Sequence, residues 1–369
     1  MTDDRDYDGT GVRATMLRGG TSRGLFFEPG DLPADPRARD DLLLRLMGTP
    51  DPRQIDGLGG ATSLTSKVAV VGPSEHPEAD VDYLFLQLGV DEPTVSDQQN
   101  CGNILAGVGP FAVERGLVPA ADGETTVRIR MVNSDSIAVA TFRTPGGRVE
   151  YRGDVAIAGV PGTAAPVALA FTDTEGSATG RLLPTGNVRD SIDGIEVTCV
   201  DNGMPVVVAT AESFGLTGTE PHEQLAADTA LLERIDAFRR KAGQLMGLGD
   251  VSGSSVPKTA LLAPPRDGGQ VCTRSFIPVQ PHTAIGVLAA VSVVTGMLLP
   301  GAVGHELTAD WPRDRSQIDV EHPTGHLLVD VVVDTDVTPP RVVRSGVVRT
   351  ARKLFDGVAF PRGRGEVAR

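Results

Sequence analysis

The feature that most constrains this chain is that it carries its own pattern twice. Thr65-Ser66-Lys67-Val68-Ala69-Val70-Val71-Gly72-Pro73 returns as Val256-Pro257-Lys258-Thr259-Ala260-Leu261-Leu262-Ala263-Pro264, with lysine and proline in register. Thr15-Met16-Leu17-Arg18-Gly19-Gly20 is echoed by Thr198-Cys199-Val200-Asp201-Asn202-Gly203, and residues 101–118 by residues 281–298. Thr179-Gly180-Arg181 with Gly186 recurs as Thr350-Ala351-Arg352 with Gly357. Solenoid repeats have periods of ~20–50 residues, so these four ordered echoes point instead to duplicated halves. Two similar halves predict a cleft between them, with paired polar groups at its walls.

The length agrees. A chain of 369 residues exceeds the ~250–300 at which single cores stop growing. The predicted domains are residues 1–187 and 188–369, with the last segment free to pack back on the first. Aromatics make up only 4% of the chain, so Val, Ala and Leu must supply the core. A formal charge of −14 argues against nucleic acid or an anionic membrane as partner. A small anionic substrate is not excluded, because it responds to the local field. Cys101, Cys199 and Cys272 provide no disulfide framework, which suits a reducing cytoplasm. The opening residues do not read as a signal peptide, and the first ten, rich in Asp, read as disordered. Residues 285–304 are uncharged over the length of a membrane span. Their echo carries Glu114 and Arg115, however, so they are read as a core helix ending near Thr295-Gly296.

Along the first half, residues 12–27 read as two strands around a Gly-Gly turn and residues 37–47 as a helix. Strands are predicted at 67–71, 83–90, 127–132, 136–142, 149–151 and 167–171. A helix at 104–115 is closed by Gly116. The second half repeats the plan, with strands near 195–200, 205–209, 258–262 and 327–333 and helices near 223–245 and 283–295. The fold class is therefore α+β: two pseudo-symmetric domains, each a curled sheet or barrel around one central helix.

Asn100-Cys101-Gly102-Asn103 opens the first core helix. Unpaired N–H groups there can hold an anion, and Gly102 lets a ligand approach the backbone. Cys101 is so placed that it could be an acid, a base or a nucleophile; a small buried residue is the plain alternative. The echo places His282 and Thr283 at a second helix start. Lys67 and Lys258 each lead an apolar strand, a costly position unless the ammonium reaches a cleft or an anion. Such an amine can act as a base; two snorkelling surface lysines are the alternative. Arg18, Gly19, Thr21, Ser22 and Arg23 form a Gly-rich turn with donors suited to a carboxylate. Gly57-Leu58-Gly59-Gly60 lacks the Gly-Lys-Ser/Thr of a phosphate loop. No CxxC or HExxH is present, so a metal site is not supported.

Several of these segments resemble the PrpF-like isomerases, particularly the 4-oxalomesaconate tautomerases, over nearly the whole chain. The matching stretches include Met16-Leu17-Arg18-Gly19-Gly20-Thr21-Ser22-Arg23-Gly24, Leu64-Thr65-Ser66-Lys67-Val68-Ala69 and Asn100-Cys101-Gly102-Asn103. Further matches are Gly159-Val160-Pro161-Gly162-Thr163, Asp201-Asn202-Gly203-Met204-Pro205, Glu321-His322-Pro323-Thr324-Gly325 and Arg349-Thr350-Ala351-Arg352. The resemblance implies the diaminopimelate-epimerase-like fold with the site between its domains, no cofactor, and an unsaturated di- or tricarboxylic acid as substrate. It carries Lys67 and Cys101 over as the acid/base residues. Two departures stand out. Pro281 precedes His282 where many relatives have Cys, which leaves one thiol rather than the two used by epimerases, and Arg23 stands where Lys is common.

These readings converge on a cytoplasmic isomerase that moves a double bond by a 1,3-allylic proton shift, with 4-oxalomesaconate as the favoured substrate. Ser22, Ser66, Asn100, Gly102, Asn103, Lys258, His282 and Thr283 join Arg18 and Arg23 as candidate substrate contacts. The alternatives are a cis–trans isomerase of an aconitate-type acid such as 2-methylaconitate and a non-catalytic carboxylate-binding protein. Whether the chain forms a homodimer stays open.

Overall fold

The computed structural model describes residues 11–98, 100–309, 311 and 317–363. The disorder expected of the first ten residues falls outside that set. The chain forms two compact units, one of Met1–Leu169 with Arg349–Arg369 and one of Ala170–Val348. Residues 170–187, placed with the first half on sequence, therefore cluster with the second unit, and 349–369 cluster with the first. A local cause is visible at Asp201, whose carboxylate accepts the Ala178 and Thr179 N–H groups at 2.9 Å each.

In the first unit, β1 (Val12–Gly19) and β2 (Ser22–Phe27) make an antiparallel hairpin turning at Gly20, where φ is +50°. Helix α1 (Pro36–Met47) follows, capped by the Asp35 side chain and closed by left-handed Gly48. Next come β3 (Lys67–Pro73), parallel to β2, and β4 (Val81–Leu88), antiparallel to β3, with the short β5 (Val95–Ser96) alongside. After α2 (Gly102–Leu105) and α3 (Val108–Glu114), β6 (Gly123–Met131) runs parallel to β4, β7 (Ser136–Thr144) antiparallel to β6, and β8 (Pro166–Phe171) follows. The strand order ends at residues 341–359, whose later part pairs back on β1 and closes an eight-strand ring.

The helical segment fills that ring. Ile104, Leu105, Ala106, Val108 and Ala112 are fully buried, and the Phe26 and Phe111 rings lie 5.6 Å apart. The outer face of β2–β4 is covered by α1, with Leu42, Leu43 and Leu46 against Leu25, Phe27 and Val68. These strands are buried on both sides, which is why Leu25-Phe26-Phe27 and Val68-Ala69-Val70-Val71 read as continuous apolar runs.

The second unit repeats the order of pairings. It runs β9 (Asp190–Ile192), β10 (Ile195–Asp201), β11 (Pro205–Thr210), α4 (His222–Ala227), α5 (Thr229–Leu245), β12 (Lys258–Ala263) and β13 (Val271–Phe276). Then come α6 (Val287–Leu298), β14 (Gln317–His322), β15 (Gly325–Asp334) and the first part of β16 (Arg341–Ala359). As in unit 1, a hairpin is followed by a parallel, an antiparallel, a parallel and an antiparallel pairing. Helix α6 is the buried inner helix, and α5 packs outside through Ile235 and Phe238. Asn202 is fully buried; it donates to Thr295 at 2.7 Å and to Ser345 at 2.8 Å, tying the end of β10 to α6 and to β16.

Three expected elements differ. Residues 149–151 are not a strand, the helix at 104–115 is two helices, and α6 starts at Val287 rather than 283. No helix among the described residues is long and apolar enough to cross a membrane.

Candidate active site

Strand β3 delivers Lys67 to the inside of the first unit. Gly24 pairs with Lys67, and a Cβ at Gly24 would lie 3.3 Å from the Ile104 side chain of the inner helix. Residues alternate between faces along a strand, so Lys67 shares this inner face with Tyr83, Phe85 and Gln87 across the β3–β4 register. Its ammonium donates to Gln87 Oε1 at 2.6 Å and lies 5.0 Å from the Phe85 ring centroid. The side-chain amide of Gln87 is itself fixed: Nε2 donates to the Ser66, Leu88 and Ser63 carbonyls at 3.0, 3.1 and 3.2 Å. Lys67 is thus held by a neutral acceptor and an aromatic face while only 7% exposed.

Cys101 is the residue immediately before α2, partly exposed, and its side chain does not cap the helix. The Tyr83 hydroxyl donates to its carbonyl at 3.4 Å. Burial pushes the Tyr83 hydroxyl well above the usual phenol range, and Cys101 adds to that shift. Arg349 brings a positive charge towards the same thiol. Burial pulls its guanidinium down to about 10, Cys101 acts in the opposite direction, and its Nε is buried without a hydrogen-bond partner.

The β1–β2 turn presses on the start of the inner helix. A Cβ on Gly19 would lie 2.3 Å from the Asn103 carbonyl oxygen, and one on Gly20 would lie 2.1 Å from Asn103 Oδ1. Only glycine permits that approach. The Thr21 N–H donates to Asn103 Oδ1 at 3.4 Å. Ser22 pairs with Gly19, so it faces the same way, and its hydroxyl is buried with no partner. The inner face at this end of the barrel therefore gathers Lys67, Cys101, Asn103 and Ser22, with Gln87, Tyr83 and Arg349 in support.

Other candidates are placed differently. Arg18 and Arg23 alternate along their strands with the inward Gly19 and Gly24, and they line one cavity together with Thr21 and Ser22. Arg18 Nη1 donates to the Gly20 carbonyl at 2.8 Å and to the Thr350 hydroxyl and carbonyl at 3.0 and 3.1 Å. The Ser66 hydroxyl, fully buried, donates to Gln54 at 2.8 Å. Asn100 donates to Ser134 at 2.6 Å, and Gly102 begins α2. In the second unit, Lys258 opens β12, and its Nζ is 3.5 Å from where a Gly286 Cβ would sit. Burial pulls Lys258 below the usual amine range. It also pulls His282 down, assisted by the charges of Lys258 and His222 and opposed by a hydrogen bond from the Ala284 N–H. Gly286, not His282, immediately precedes α6; Thr283 is exposed and its carbonyl accepts from Thr324 at 2.8 Å.

Gln87, Tyr83 and Arg349 were not singled out on sequence. Period-two alternation in 83–88 contained the first two, because residues 83, 85 and 87 share the face opposite Leu84 and Leu86. Arg349 opens a recognised segment but carried no sign of its distance from residue 101. Among the described residues, no cluster of three or more His, Cys, Asp or Glu is placed to hold a metal ion.

The first unit is thus an eight-strand barrel around a buried helix, with Cys101 directly before that helix and Lys67 on the inner face of the barrel. The family model described as PrpF protein matches residues 10–361, and the chain belongs to the PrpF family. It is 55% identical over 356 residues to the (4E)-oxalomesaconate Delta-isomerase of a Novosphingobium species, covering 96% of this chain and 99% of that one. It is 54% identical over 349 residues to the 4-oxalomesaconate tautomerase of Pseudomonas putida, covering 95% and 96%. The crystal structure of a methylitaconate-delta-isomerase superposes with a TM-score of 0.86 at 34% identity, covering 95% of this chain and 96% of that one.

Proposed function

We propose that this chain is an isomerase that moves a carbon–carbon double bond in an unsaturated tricarboxylic acid, 4-oxalomesaconate, by a 1,3-proton shift. The observation that carries this reading is the 55% identity, end to end, to a (4E)-oxalomesaconate Delta-isomerase. In the mechanism, the amine of Lys67 takes a proton from the carbon beside the activated carbonyl. The electron pair left behind spreads into a dienolate across three carbons. Cys101, or water beside it, returns a proton to the far carbon and completes the shift. The two transfers balance.

A dienolate forms only where donors hold its charge. Asn103, the unpartnered Ser22 hydroxyl and the N–H groups at the start of α2 are suited to that, and Arg349 places a positive charge beside the thiol. Gln87 aims the amine. The second candidate substrate, 2-methylaconitate, has weaker support, because the relatives named for oxalomesaconate are 54–55% identical to this chain and the 2-methyl-aconitate isomerase of Shewanella oneidensis is 35% identical. Proton NMR of each acid with the purified chain separates the two. Turnover of 4-oxalomesaconate at least tenfold above 2-methylaconitate in kcat/KM is expected, and the reverse order would overturn the substrate assignment.

A further inference from the structure

The segment Glu321-His322-Pro323-Thr324-Gly325 takes no part in the proton shift, yet in the second unit it borders a cluster of charges. Glu321 lies on β14, and His326, near the start of β15, is its partner in the strand register. Side chains alternate along a strand, so Asp319 shares the face of Glu321. Against that face lies the loop of residues 264–270, which joins β12 to β13. The Glu321 carboxylate accepts the Arg266, Asp267 and Gly269 N–H groups at 2.8, 2.6 and 2.9 Å. Loop and segment line one cavity of about 470 Å³, with Cys272 and Arg274 in its wall.

His326 sits between two carboxylates. Its Nδ1 is 3.0 Å from Asp319 Oδ2, and its Nε2 is 3.2 Å from Asp267 Oδ2. An ionised carboxylate only accepts, and a neutral imidazole has a single N–H, so both contacts are hydrogen bonds only when the ring is doubly protonated. Burial pulls the ring down, but the hydrogen bond to Asp267 and the charge of Asp319 outweigh it and hold His326 above its usual value. The charged and titratable groups around it are Asp319 and Glu321 from β14, His322 at the end of that strand, Asp267 and Arg266 from the loop, and Arg274 from β13. The two carboxylates bonded to the ring differ in depth. The Asp319 side chain is 33% exposed, with Oδ1 buried and unpartnered, whereas that of Asp267 is 88% exposed. Leaving the deeper group unpaired costs more. A neutral ring therefore keeps its one proton on Asp319 and turns a lone pair towards Asp267.

We infer that His326 is a pH-operated latch: as imidazolium it ties Asp267, and with it the loop of residues 264–270, to the β14–β15 hairpin, and as neutral imidazole it lets the loop lift from the cavity. The folded ring binds its proton more tightly than the unfolded chain does. The hold is therefore complete below the ordinary histidine value of about 6.5 and is lost as pH rises through the higher folded value. Because Asp267 is mostly exposed, the hold is weak and screened by salt, so the loop can open while the sheet stays folded. The hairpin is itself joined to the stretch leading into α6, since the Thr324 hydroxyl donates to the Thr283 carbonyl at 2.8 Å. The inference rests on this cluster alone and does not depend on the proposed reaction.

The test is amide hydrogen exchange of the full chain at about pH 6 and about pH 8.5, corrected for the intrinsic rate and read at residues 266–269. The wild-type chain should protect these amides about threefold better at the lower pH, the scale of an exposed charge pair. His326→Gln and Asp267→Ala should both exchange at the faster, high-pH rate under either condition. Asp267 is exposed, so its variant tests the latch without disturbing the core, and circular dichroism checks that both variants fold. Equal protection of the wild-type loop at the two pH values, or an undiminished pH difference in both variants, would overturn the latch. A loss of protection shared to the same extent by the α5 amides would be opening of the whole unit and would also reject it.

Discussion

The two units repeat one order of strand pairings and each begins its third long strand with a lysine, yet the two lysines meet different surroundings. Lys67 is fixed by Gln87 and Phe85 on the inner face that also holds Cys101. Lys258 lies beside Gly286 and near His282, with burial as the cause of its lowered affinity for a proton. At the start of the inner helix the first unit has a thiol, and the second has Gly286. The scaffold repeats, while a cysteine directly before the inner helix occurs only in the first unit.

The sharpest way to break that comparison is to treat the lysines alike. Lys67→Met should lower kcat by roughly 10²–10⁴-fold, the usual contribution of a general base, and Lys258→Met should lower it far less; equal losses measured by NMR would erase the asymmetry. Gln87→Leu removes the acceptor that aims Lys67. It should cost kcat about 10–10²-fold with little change in KM, as expected of a mispositioned base.

Effects on stability are smaller. Asn202→Ala leaves the hydroxyls of Thr295 and Ser345 without their buried partner and should destabilise the fold by about 1–3 kcal/mol in urea titration. The mildest expected effect concerns pH. His282 has a folded pKa below its usual 6.5, first from burial and then from Lys258 and His222. The unfolded chain therefore binds more protons there, so its contribution to stability is present above pH 6.5 and is lost as pH falls through the folded pKa. His282→Gln should flatten that part of the stability–pH curve, and an unchanged slope would reject the assignment.

Much of the scaffold was legible because lysine followed by an apolar strand occurs twice in register, a pattern that neither loops nor solenoids produce. What was missed has local causes. The first inner helix breaks at Gly107, where a Cβ would lie 2.7 Å from the Phe26 ring. Helix α6 was started too early because residues 281–286 carry no strong stop or cap. Strand β16 was hidden by Arg344, Arg349, Arg352 and Lys353, whose charges obscure its alternation. Arg18 and Arg23 read as partners of the reacting centre because a glycine-rich turn with guanidinium groups suits a carboxylate. In the structure they alternate with Gly19 and Gly24 and line one cavity with Thr21 and Ser22. Gln87 lies in a predicted strand, on the face opposite the apolar Leu84, Leu86 and Leu88 that mark the strand in the sequence.

The central claim is that Lys67 removes the proton and Cys101 returns one. Incubating 4-oxalomesaconate in D₂O with Cys101→Ser and with Lys67→Met, followed by NMR, tests both halves together. The account predicts that Cys101→Ser still exchanges hydrogen at the substrate carbon while forming product slowly, and that Lys67→Met does neither. Isomerisation by Lys67→Met at the wild-type rate would contradict it.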